Sequence, residues 1–182
     1  MNKIFTAILI SAATISFTTV VSAATAEGKA TYKAAKESAD ADYKIAREKC
    51  NSLNDNPKDV CIAEASAVRT RSKSEAEASY KNTARVRAST RTAIASADLD
   101  VAKAKCGSQS GNEKDVCIKE AKAVYVAAKA DAKVDKKVSM ARADARDDKS
   151  DANYKVVLEK CDALVGAAKD TCVSSAKTQF NK

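Results

Sequence analysis

Six cysteines carry most of the chemistry this chain could do, and they form three pairs of one spacing. The pairs are CNSLNDNPKDVC from Cys50 to Cys61, CGSQSGNEKDVC from Cys106 to Cys117, and CDALVGAAKDTC from Cys161 to Cys172. Paired thiols can ligate a metal, cycle as a redox couple or close a disulfide. Zinc ribbons use a short C-x-x-C spacing, often with histidine, and this chain has no histidine. A redox pair needs C-x-x-C and a group that holds the thiolate, and neither is present. The disulfide reading remains. Six cysteines admit many pairings, and the repeated spacing selects the local one: Cys50–Cys61, Cys106–Cys117, Cys161–Cys172.

The second chemical feature is a run of cations. Arg69, Arg71, Lys73, Lys81, Arg85, Arg87 and Arg91 are interrupted only by Glu75 and Glu77. On a helical projection Arg69, Lys73, Arg87 and Arg91 share a face. A basic face of this kind, with Arg69, Lys73, Lys81, Arg85, Arg87 and Arg91 as its contact residues, suits a polyanion such as lipopolysaccharide phosphate, anionic lipid or nucleic acid. The plainer reading is a solvated face, or one matched by acids on a neighbouring helix. Hinging the chain at residues 106–112 places residue i opposite about 219 − i, which sets Arg71 and Lys73 against Asp144, Asp147, Asp148 and Asp151.

No catalytic constellation is legible. Histidine, the commonest general base, is absent. No serine lies in a nucleophile elbow and the four glycines form no phosphate loop. Carboxylate pairs on thin, exposed helices have nothing to desolvate and tune them. The expectation is a non-enzyme with no cofactor, no metal and no small-molecule substrate.

The setting that would keep the cysteines oxidised is written at the N-terminus. Met1-Asn2-Lys3 is a short positive start, Ile4 to Val21 is apolar apart from Ser and Thr, and Val21-Ser22-Ala23 fits a small-x-small cleavage site. Residues 1–23 are therefore expected to be a cleaved signal peptide and 24–182 a helical repeat domain. Removing Lys3 lowers the net charge from +8 to +7. A short, plain signal suits a bacterium, so the mature chain is expected in the periplasm or secreted, where disulfides persist.

The elements that must position the cysteines come from composition and repetition. Helix formers dominate, charged residues make up 31%, and there is one Pro and 4% aromatics, so helices are expected around a thin core. The unit recurs at offsets of 56 and 55: ADYKIAREKC, ADLDVAKAKC and ANYKVVLEKC precede the first cysteines, and KDVCIAEA, KDVCIKEA and KDTCVSSA surround the second. Each unit reads as helix, turn, helix. Asn56 is the expected N-cap of the helix after the first turn, with Pro57 at its first position and Asp59 at its third. Gly107 and Gly111 loosen the second turn; Ala167 leaves the third without a cap. The map is helix 27–50, turn 51–56, helix 57–105, turn 106–112, helix 113–160, turn 161–167, helix 168–181. The two long helices are expected to be continuous, although Asn82-Thr83 to Thr92 is the weakest stretch on propensity and Lys149-Ser150-Asp151 a lesser one.

Short turns make successive helices antiparallel neighbours. Tyr32, Ala39, Tyr43, Ala46 and Cys50 form one seam, and Val86, Thr90, Ala93, Ala97, Val101 and Ala104 another. On the third helix Asp131 and Asp148 interrupt the stripe. The fold class is all-α: elongated antiparallel helical hairpins forming a coiled-coil-like bundle from three tandem helix-turn-helix repeats, centred on 50–61, 106–117 and 161–172 and pinned by local disulfides. Closing a loop of about a dozen residues stabilises by roughly 3 kcal/mol.

The Cys-x10-Cys repeat in an exported Ala/Lys-rich chain resembles uncharacterised exported helical proteins of proteobacteria, some of which carry TolA-like cell-envelope names. The likeness to TolA's middle segment lies in its Ala, Lys and acidic composition; nothing here matches its C-terminal receptor-binding domain. The resemblance implies an envelope setting and carries no site residues. The function expected is a non-enzymatic structural or protein-interaction role in the bacterial cell envelope, with envelope proteins as partners. The alternative is a binding module for anionic polymers or lipid surfaces through residues 69–91. Nucleic acid is disfavoured, and a second copy of the chain is a candidate cover for the thin seam's apolar edge.

Overall fold

A computed structural model describes residues 20–182, with side chains described from residue 26 onward. The expected signal segment thus lies, through residue 19, outside the described residues. The described chain is helical with no strand: α1 (Val20–Lys49), a 3₁₀ turn (Cys50–Ser52), α2 (Asp55–Lys81), α3 (Ala84–Lys105), a second 3₁₀ turn (Cys106–Ser108), α4 (Gly111–Asp162) and α5 (Gly166–Phe180). The substantial packing interfaces all join consecutive helices, α1 to α2, α2 to α3, α3 to α4 and α4 to α5. The result is an open row of antiparallel hairpins, as the all-α repeat reading expects. No described helix is long and apolar enough to cross a membrane.

The second expected helix, 57–105, is not continuous. It reverses at Asn82–Thr83, the stretch weakest in propensity, without Gly or Pro. Asn82 takes the left-handed conformation at φ 44° and donates its N–H to Ala78 O, a geometry asparagine tolerates better than most side chains. Thr83 then caps α3, its Oγ1 accepting from Val86 N at 3.2 Å. Arg87 closes the corner by donating to Asn82 O and Oδ1 at 3.0 and 2.7 Å. At Lys149–Asp151 nothing equivalent occurs, and α4 runs unbroken for 52 residues, about 78 Å at 1.5 Å per residue.

The three disulfide turns share one backbone plan. The fifth residue after each unit's first cysteine has positive φ: Asp55 at 50°, Gly111 at 54° and Gly166 at 58°. The third residue after that cysteine donates its N–H to the cysteine carbonyl, from Leu53, Gln109 and Leu164, at 3.0–3.1 Å. The expected cap at Asn56 is corrected by this plan. α2 begins two residues earlier, with Asn54 in the N-cap position, so Pro57 falls at its third position. The Asn56 side chain instead crosses to the next hairpin and donates to Ala104 O at 2.6 Å. A side chain at Gly107 would collide with that amide, which explains the glycine there. Gly111→Ala should cost about 1 kcal/mol because its φ is left-handed. Gly28→Ala, inside α1 with only ordinary contact to Tyr80, should gain up to about 1 kcal/mol. Urea denaturation of the two variants checks the opposite signs.

The core is as thin as the composition implies. Among the described residues the buried apolar side chains are Ala39, Ala65, Ala132, Ala176 and the first cysteine of each unit, Cys50, Cys106 and Cys161. Alanine lets the backbones approach closely but removes little area from water. The two seams expected on α1 and α3 do face their neighbours, with Ala39, Cys50 and Thr90 buried. On α4 the face that packs carries Ala121, Tyr125, Ala128, Ala132, Tyr154 and Cys161. The stripe that contains Asp131 and Asp148 is turned to solvent.

Candidate functional site

Each cysteine pair lies where a hairpin neck brings two helix ends together. The Cα–Cα distances are 5.7 Å for Cys50–Cys61, 5.8 Å for Cys106–Cys117 and 5.6 Å for Cys161–Cys172, inside the disulfide range of roughly 4.4–6.8 Å. All six are bonded in these local pairs and none is free. Among the described residues no cluster of His, Cys, Asp or Glu is grouped to hold a metal ion.

The basic residues of 69–91 are distributed over both sides of the α2–α3 corner, not along one face. Arg69 and Lys73 both converge on Asp40 of α1, Arg69 Nε at 2.5 Å and Lys73 Nζ at 3.0 Å. Arg69 also lies over the Tyr43 ring, 5.0 Å from its centroid. Arg71 donates to both oxygens of Asp98 at 3.0 and 3.2 Å. Lys81 pairs with Glu77 at 2.6 Å, Arg87 holds Asn82, and Arg91 reaches Asp135 of α4. Arg85 alone has no hydrogen bond or ion pair among the described residues. The expected match of Arg71 and Lys73 with residues 144–151 fails because α2 turns back at residue 82. α2 therefore lies between α1 and α3, and α3 is the helix that meets α4.

Asp40 is the node of the first hairpin. Hydrogen bonds from Lys73 and then Arg69 hold its carboxyl below the ordinary value of 3.8. A lowered folded pKa stabilises above the unfolded pKa, and that stability is lost as pH falls through the folded value. Lys81 and Lys182 are raised above 10.5, mainly by hydrogen bonds to Glu77 and Asp151, so their contributions are present below 10.5 and lost at higher pH. Asp40→Asn should therefore melt below the parent protein at neutral pH, and the two melting temperatures should converge as the pH drops below the carboxylate range. A constant gap at all pH values would remove the ion pairs as the cause.

Sequence reasoning passed over Asp40, although its signal was present: the hinge arithmetic applied at the first turn, between Cys50 and Cys61, sets Asp40 opposite residue 71. The Tyr32–Tyr80 stack, with centroids 5.1 Å apart, follows from the same register and closes the open end of α1 and α2. Thr90, read as a seam residue, also donates its hydroxyl to Ser74 O at 2.9 Å, tying α3 to α2. The larger recesses are open grooves: about 520 Å³ beside Gly28, Tyr32 and Tyr80, and about 540 Å³ lined by Tyr43, Ile62, Ala97 and Asp100. No family of known proteins, no curated protein and no solved structure matches this chain.

Proposed function

We propose that the chain is a non-enzymatic structural or interaction protein of the bacterial cell envelope, working in the periplasm or outside the cell after loss of residues 1–23. The observation that carries this reading is the open row of disulfide-pinned hairpins. Such a row leaves long helix faces uncovered, with Val68, Val124, Val126 and Val134 each more than half exposed, and it offers only open grooves. Three local disulfides need an oxidising compartment to form and persist, which supports export. The partner would be an envelope protein recognised along a helix face.

A photoreactive residue placed at Val68 or Val126 tests the reading in intact cells. The proposal expects a discrete adduct with one envelope protein at native expression, lost when the same residue is moved to a covered position such as Ala65. Only diffuse or absent adducts would count against it. The alternative, an anionic polymer or lipid surface gripped by residues 69–91, must contend with intramolecular bonds at Arg69, Lys73, Lys81, Arg87 and Arg91. It would be favoured by heparin or lipopolysaccharide affinity that falls steeply with salt and whose slope flattens when Arg85, Arg87 and Arg91 are neutralised.

A further inference from the structure

The longest helix has two apolar faces and uses one. Ala121, Tyr125, Ala128 and Ala132 lie on the face toward α3, and Tyr154 and Cys161 continue the same face toward α5. On the other side, Val124, Ala127, Val134, Val138, Ala141 and Ala145 recur at spacings of 3, 4 or 7 and all are exposed, Val124 at 71% and Val134 at 56%. This is a coiled-coil seam that no helix of its own chain covers, although Val138 at its middle borders a recess shared with Ala84 and Ala88 of α3.

The charges beside the seam say what covers it. On one flank stand Lys137 and, seven residues on, Asp144; neither has an ion pair among the described residues. On the other flank stand Asp135 and Arg142, at the same separation. We propose that two copies of the chain associate through α4, antiparallel, about a two-fold axis near residue 140. An antiparallel two-fold sets each flank beside the same flank of the copy, so the pattern is complementary to itself. Lys137 then meets Asp144 of the second copy, and Asp144 meets its Lys137. Arg142 meets Asp135, which also holds Arg91. Val138 packs on Ala141 of the copy and Val134 on Ala145. A parallel pairing would instead set Lys137 against Arg142. The pairing also brings a cation to Asp144, which has the like-charged Asp148 one turn away on its own helix. The ends of the seam limit its strength, because Asp148 falls beside Asp131 of the copy. The expected dimer is short and of micromolar affinity.

Sedimentation equilibrium of the mature, oxidised protein should show a monomer–dimer equilibrium. Carbodiimide should join Lys137 to Asp144 with no spacer. That link identifies contact between copies, because seven residues of one helix span about 10 Å. Lys137→Asp should weaken the dimer about tenfold or more, and Lys137→Asp with Asp144→Lys should restore it. Val138→Glu should abolish it, and Asp148→Ala should tighten it several-fold. All these positions are exposed, so each variant should stay folded, which circular dichroism checks. A monomer at every concentration, or a dimer without the Lys137–Asp144 link and without rescue by the charge swap, would overturn the proposal.

Discussion

Replacing Cys106 and Cys117 by alanine is expected to cost about 3 kcal/mol and to lower the melting temperature by roughly 10 °C. The pair joins α3 to α4, the junction on which both halves of the molecule depend. With a separation of 11 residues, the link removes freedom mainly from the unfolded chain. The native hairpin keeps little to compensate, since the buried side chain by which α4 packs on α3 is Ala132, about 22 Å along the helix from Cys117. Reducing all three pairs at once removes on the order of 8–9 kcal/mol, comparable with the whole stability of an ordinary domain. The reduced chain should therefore lose most of its helical signal at 37 °C. Loss of Cys161–Cys172 alone should behave differently. α5 has 15 residues, a marginal length for an isolated helix, and its substantial packing among the described residues is on α4. Its release should appear as fast amide exchange across Gly166–Phe180 while the melting temperature of the remaining helices holds.

A single methylene-rich side chain in the seam should be nearly as damaging. Ala132 is 1% exposed, where α4 meets α3. Leucine there has no room unless the two backbones separate, so Ala132→Leu should destabilise by about 1–3 kcal/mol. The same change at Ala34, exposed on α1, should stay within about 0.5 kcal/mol. The pair of variants separates overpacking from helix propensity, because alanine and leucine differ little as helix formers. Equal effects at both positions would show that the alanine seam is not closely packed.

The disulfide plan was legible because three copies of one spacing leave only the local pairing consistent with all of them. The α1 and α3 seams were legible for a similar reason: alanine and tyrosine at spacings of 3 and 4 have one way to face a neighbour. The corner at Asn82–Thr83 was visible as a weak stretch but not as a reversal. Its local features are a left-handed asparagine and a hydrogen bond from Arg87, and the tie of Thr90 to Ser74 holds α3 back on α2; propensity registers none of these. That missed reversal moved the whole charge register. Arg71 found Asp98 and Lys73 found Asp40, and the acids at 144–148 were left facing solvent. On α4 two stripes of nearly equal apolarity compete, and periodicity alone does not tell which one packs.

Peptide mapping of the unreduced protein, taken from its own cells after free thiols are blocked before lysis, addresses the hairpins and their compartment together. The structure and the proposed export predict Cys50–Cys61, Cys106–Cys117 and Cys161–Cys172, with no thiol left to block. Blocked free cysteines in the native protein would contradict export, and a crossed link such as Cys50–Cys117 would contradict the row of pinned hairpins.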